Sequence, residues 1–142
     1  MKLTISEAAE KVNLTAHTIR YYDKEGLLPF VERTDSGIRY FTENDLEGLE
    51  IINCLKATGM PIKEIKIFMN WCVEGDSTLK NRYEMFLERK AAVESQILEL
   101  QRALDRINYK CWYYKTTLEA GTEKIHNNAP KYHPSRDFNS FP

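Results

Sequence analysis

Apolar and polar positions alternate in three different rhythms along this chain. Between Thr4 and Tyr40 the apolar residues come in short clusters set off by capping residues, which predicts two short helices, a turn and a hairpin. Thr4 with Glu7 three residues on forms a helix start, and Ala8, Ala9 and Val12 make a small apolar face suited to close helix crossing. Asn13 stops this helix, Leu14 anchors the turn, and Thr15 caps a second helix running to Lys24 or Glu25. Gly26 and Pro29 end it. The β-prone runs Phe30–Arg33 and Ile38–Phe41 flank Thr34-Asp35-Ser36-Gly37, a turn-forming cluster, and predict a small β wing.

The second rhythm is helical. Thr42-Glu43-Asn44-Asp45 opens a third helix, Glu43 to Thr58, closed by Gly59. Leu46, Leu49 and Ile52 share one face, and Cys54 projects from nearly the opposite side, so the helix is expected between two partners. Pro61 begins a fourth helix with a buried stripe of Ile62, Ile65 and Met69, and Glu74–Ser77 breaks it.

The third rhythm has a period of seven. From Thr78 to Leu118, one row reads Leu79, Phe86, Val93, Leu100, Ile107, Tyr114, and the other reads Tyr83, Lys90, Ile97, Leu104, Cys111, Leu118. Lys90 is the one charged member, and neither Gly nor Pro interrupts the run. This is a two-stranded coiled-coil pattern on a helix of about 60 Å. A second copy is the simplest cover for such a seam; folding back on its own domain would cover only the first few turns. The pattern leaves parallel and antiparallel pairing open. Residues 121–142, rich in Asn, Pro, Ser and charge, are expected to form a flexible or loosely docked C-terminal tail. The expected layout is residues 1–75 as a winged helix-turn-helix, 76–120 as a dimerising helix and 121–142 as the tail. The fold class is all-α with a small β wing.

Composition narrows the function less than placement does. Lys plus Arg total 20 against 21 for Asp plus Glu, a net charge of −1, so bulk charge does not advertise nucleic acid. The helix predicted after Thr15 nevertheless concentrates Thr15, His17, Thr18, Arg20, Tyr21 and Tyr22, a mixture able to reach base edges and phosphates in a major groove. Neighbours on a helix point about 100° apart, so one of the two tyrosines is expected to be structural. On the wing, Arg33 and Arg39 stand on opposing strands with Tyr40 beside them and can face a phosphate backbone; the alternative is a surface hairpin with solvated arginines. No Gly-rich phosphate loop, HExxH or nucleophile elbow is present, which argues against an enzyme, and no cofactor is expected. His17, His126 and His133 have no evident metal or catalytic partners. Cys54, Cys72 and Cys111 are widely spaced, so neither a disulfide framework nor a zinc site is expected. With no long apolar run, the expected setting is cytoplasmic, away from membranes.

The run TIRYYDKEGLL, then Arg33, then GIRYF and the helix opening TENDL, resembles the MerR family of bacterial transcriptional regulators, as does GMPIKEIK after the third helix. The resemblance is tight from Met1 to about Phe68 and holds only in kind for the coiled coil. It implies a homodimer held by an antiparallel coiled coil, bound to double-stranded promoter DNA that it distorts so that RNA polymerase can engage. It places Thr15, His17, Thr18, Arg20, Tyr21 and Tyr22 on the recognition helix, and Arg33, Arg39 and Tyr40 on the wing.

Family branches differ in what they sense. The helix opening Asp76-Ser77-Thr78-Leu79 and a tail without cysteine disfavour thiolate metal sensing, and three dispersed cysteines cannot hold an iron–sulfur cluster. Too few residues follow Leu118 for a large ligand-binding domain. A branch responding to aldehydes or thiol stress resembles this chain at Cys54, whose thiol Lys56 or a residue of the partner helix can activate. The alternative is that Cys54 is a small buried hydrophobe. Cys72 and Cys111 read as core or seam residues. A third possibility is a small apolar inducer near the ends of the long helix, among Trp71, Tyr83, Phe86, Trp112, Tyr113 and Tyr114.

Overall fold

The computed structural model describes residues 2–127. It places α1 at Ile5–Lys11, α2 at Ala16–Lys24, β1 at Glu32–Arg33, β2 at Arg39–Tyr40, α3 at Glu43–Ala57, α4 at Ile62–Glu74 and α5 at Leu79–Ala120. The architecture is helical with a two-stranded wing, in the expected order.

Capping chemistry sets the short elements. Thr4 Oγ1 accepts the Glu7 N–H at 3.2 Å while Glu7 Oε2 accepts the Thr4 N–H at 3.1 Å, closing a capping box on α1. Asn13 turns the chain with φ 55°, a left-handed conformation that Asn tolerates, and Thr15 Oγ1 then caps α2 through the Thr18 N–H at 3.0 Å. A second capping box, Thr42 with Asp45, opens α3. Pro61 caps α4 from just outside its first turn.

The strands are shorter than the β-prone runs, two residues each, with Glu32 opposite Tyr40 and Arg33 opposite Arg39. Gly37 takes φ +86° at the hairpin tip, where Thr34 Oγ1 accepts the Ile38 N–H at 3.1 Å. An isolated bridge between Leu3 and Phe41, two backbone bonds of 2.8 Å, ties the start of the chain to the base of the wing.

One core joins these elements. Ala8, Ala9, Ile19, Tyr22, Leu27, Leu28, Phe41, Leu49, Ile52, Leu55, Ile65, Phe68 and Met69 are all buried in a single cluster. Gly48 on α3 is required by this packing, since a Cβ there would come within 2.8 Å of the Phe30 ring. The outer side of α3 is not covered: Cys54 is exposed, so within one chain this helix has a single buried face. Cys72, expected in a core or seam, is exposed as well, because α4 buries Ile65, Phe68 and Met69 on the other side.

A 3-10 turn at Asp76–Thr78 joins α4 to α5. The buried Thr78 hydroxyl donates to Trp71 O at 2.7 Å, and Arg82 Nη2 donates to Gly75 O at 3.0 Å. Phe86 meets Phe68 edge-on at 5.2 Å, and Arg89 Nη1 donates to Thr58 O at 3.3 Å. The chain divides into two compact units between Arg89 and Lys90, so the first turns of α5 belong to the N-terminal unit.

Helix α5 has 42 residues and buries only Tyr109. Leu79, Phe86, Ile97, Leu100, Leu104, Ile107 and Cys111 are all exposed, Leu100 at 70%, and Val93 is partly so. Beyond α5 the chain is not loose at once: Glu123–His126 forms a 3-10 turn whose His126 ring stacks on Tyr113 at 4.1 Å. His126 Nε2 lies 2.9 Å from Thr116 Oγ1 and 3.0 Å from Tyr113 O. This histidine, which has no evident partner on sequence, locks the end of its own helix. Tyr132, His133, Phe138 and Phe141 lie outside the described residues.

Phe41→Ala should lower the free energy of urea unfolding by about 3–5 kcal/mol, because the ring is fully buried. Thr42→Ala should cost about 1 kcal/mol through loss of the cap. A Phe41→Ala loss below about 1 kcal/mol would remove this ring from the core.

Candidate nucleic-acid interface

Helix α2 has two unlike faces. Ile19 and Tyr22 turn inward, at 0% and 1% exposure, and anchor the helix to the core. His17, Arg20, Tyr21 and Lys24 are exposed and follow the i, i+3, i+4, i+7 spacing of one helical face. Thr18 is partly exposed, and its hydroxyl lies 2.8 Å from that of Thr15. Thr15 therefore acts first as the cap that starts this helix.

The two adjacent tyrosines separate as neighbours on a helix must. Tyr21 is 40% exposed, while Tyr22, grouped on sequence with the DNA-contacting residues, is a core residue. Burial raises the Tyr22 pKa, with a smaller contribution from Tyr21, so its hydroxyl stays protonated. Lys56, on the last turn of α3, holds its ammonium 5.3 Å from the Tyr22 ring centroid and 5.5 Å from that of Tyr21. Lys56, one of the groups expected to serve Cys54, thus also contacts the aromatic pair on α2.

The wing arginines are not simply solvated. Asp23 of α2 accepts from Arg33 Nη2 and, at 2.5 Å, from Arg39 Nε, both on the single oxygen Oδ2. No local motif points to Asp23: its partners lie ten and sixteen residues away. Tyr40 donates its hydroxyl to Glu32, its register partner, and this bond is the main cause of its raised pKa. The Lys2 ammonium lies 4.4 Å from the Tyr40 ring centroid. The wing therefore joins α2 through an ion-pair hub.

Away from this face, a groove of about 400 Å³ lies between α3 and α4, floored by Phe30, Gly48, Ile51, Phe68 and Met69 with Cys72 at its edge. Trp112 and Tyr113, expected to line an apolar inducer site, are engaged by His126. Among the described residues no group of three or more His, Cys, Asp or Glu side chains can hold a metal, and no helix is long and apolar enough to cross a membrane.

Residues 3–71 match the model of the MerR HTH family regulatory proteins. An uncharacterized HTH-type transcriptional regulator of Haemophilus influenzae is 43% identical over 127 residues, covering 89% of this chain and 94% of that protein. The regulator AdhR of Bacillus subtilis is 37% identical over 93 residues, covering 65% of this chain and 66% of AdhR. Among solved structures, HiNmlR, a MerR family regulator lacking the sensor domain and crystallised bound to promoter DNA, superimposes with a TM-score of 0.80 at 43% identity, covering 88% of this chain and 99% of that one. A MerR family regulator from Bacillus thuringiensis gives 0.73 at 44% identity, covering 78% and 97%. The helical fold with its two-stranded wing and long helix superimposes on these solved structures over most of their length, and the chain belongs to the MerR family of transcriptional regulators, not to an enzyme family.

Proposed function

We propose that two copies of this chain pair along α5 and read one promoter duplex with both α2 helices, distorting the DNA so that RNA polymerase can engage. The observation that carries this reading is the exposed face of α2, His17, Arg20, Tyr21 and Lys24, flanked by the wing arginines. Such a face combines a guanidinium able to pair with guanine or phosphate, polar groups for phosphate oxygens, and an aromatic ring. HiNmlR, which was solved on promoter DNA, is similar to this chain over nearly its whole length.

Pairing is supported by the uncovered seam. Each exposed leucine gains about 1.5–3 kcal/mol when a partner covers it, a strong drive for a helix that buries one residue of its own. The two helices run antiparallel. This is the sense that the family resemblance implies, and it keeps Lys90 of one seam from facing Lys90 of the other.

The signal enters at Cys54. Its thiol is exposed on the outer side of α3, the same helix that carries Lys56 against Tyr21. An aldehyde carbonyl can add the thiolate sulfur to carbon and place the thiol proton on oxygen, a reversible hemithioacetal that needs no cofactor. HiNmlR is described as lacking the sensor domain, which fits a signal received on the shared core of such chains.

Arg20→Ala should weaken binding to a selected promoter duplex about 10- to 100-fold while light scattering still reports a dimer; retained discrimination would remove Arg20 from the readout. Replacing Leu100 and Leu104 together with Asp should yield monomers, and an unchanged mass would refute the seam. In a promoter reporter, Cys54→Ser should lose the response to added formaldehyde or to an electrophile; a normal response would exclude Cys54 as the sensor.

A further inference from the structure

The wing and α2 are distant in sequence yet converge on one carboxylate. Arg33 and Arg39 are register partners across the hairpin, so two like charges stand directly opposite one another, an arrangement that is unfavourable unless an anion lies between them. Asp23 supplies that anion. Its side chain is 14% exposed, against 25% for Arg39 and 48% for Arg33, so the carboxylate is the sheltered end of the group and the guanidiniums form its open rim. Each guanidinium carries five N–H donors. Asp23 engages a single nitrogen of each, Nη2 of Arg33 and Nε of Arg39.

We propose that Asp23 is a positioning residue for DNA reading: it fastens the wing to the recognition helix and aims both guanidiniums at the backbone while lowering their joint charge. This rests on the DNA-reading function proposed above. A mobile arginine binds any duplex by releasing counterions, whereas a guanidinium held in one direction fixes the register of the protein on the helix. Asp23 converts the first kind of contact into the second. Two opposed arginines with a net charge of +2 become a triad of +1 tied to α2. Of the two pairs only that with Arg33 reaches far into solvent, where an ion pair by itself contributes little to stability.

The test uses the full chain and two probes: a duplex enriched by the wild type from a random library, and a scrambled duplex of the same composition. Binding to both is measured across a range of salt concentrations. Asp23→Asn should bind the scrambled duplex more tightly at low salt, with a slope of log K against log salt steeper by about 0.9. Preference for the enriched duplex should fall about tenfold, a change of roughly 1.4 kcal/mol in discrimination. Asp23→Glu should restore most of that preference, and in an R33Q/R39Q background Asp23→Asn should change neither quantity. A residue that merely supported the fold would lower both affinities together and leave the slope alone. If Asp23→Asn melts before binding can be measured, R33K/R39K tests the loss of preference by itself. It keeps both charges but lacks the planar fork, so preference should fall while the slope holds. Unchanged preference in either variant, or an unchanged slope in Asp23→Asn, would overturn the role of Asp23 alone. A wild type that enriches no duplex would overturn the DNA-reading function and this role with it.

Discussion

The burial of Ile19 and Tyr22 fixes everything the N-terminal unit can present. Once these two side chains are sealed in the shared core, the rotation of α2 about its axis is set, and His17, Arg20, Tyr21 and Lys24 are left on its exposed side. Thr15 and Gly26 set where this helix starts and stops. The wing depends on the same rotation, because Asp23 can reach Arg33 and Arg39 only from the side of α2 that the core leaves at the rim. A shift of one residue in α2 would carry a buried ring outward and break the hub at once.

The long helix obeys the opposite logic. Helix α5 is specified by what it leaves uncovered, a row of large apolar residues that no part of the described chain occludes. Its two ends are settled locally. At the start, the Thr78 hydroxyl and Arg82 satisfy carbonyls of Trp71 and Gly75, and at the finish His126 stacks on Tyr113. Between these ends Ile97, Leu100, Leu104 and Ile107 stay exposed.

Much of the fold was legible because it is written in short-range chemistry. Thr4, Thr15 and Thr42 all cap as expected, and the stops at Asn13, Gly26 and Gly59 fall where left-handed backbone is needed. What could not be read was long-range. Which of Tyr21 and Tyr22 faces inward depends on how α2 packs into the shared core. The pairing of Asp23 with the wing joins positions brought together only by the finished hairpin. Lys56 lies two residues from Cys54 in sequence, yet its ammonium sits over the tyrosines of α2. His126 looked isolated because its partners are on the helix it folds back against.

The last turn of α3 carries more than its own cap. Lys56 touches both tyrosines of α2, Thr58 Oγ1 donates to Leu55 O, and Thr58 O receives Arg89 from the first turns of α5. Three helices therefore share four consecutive residues. In mechanical terms this turn is a fulcrum, one short stretch on which α2, α3 and the first turns of α5 all bear. Helix α2 and the first turns of α5 are thus coupled to one another across a single helical turn.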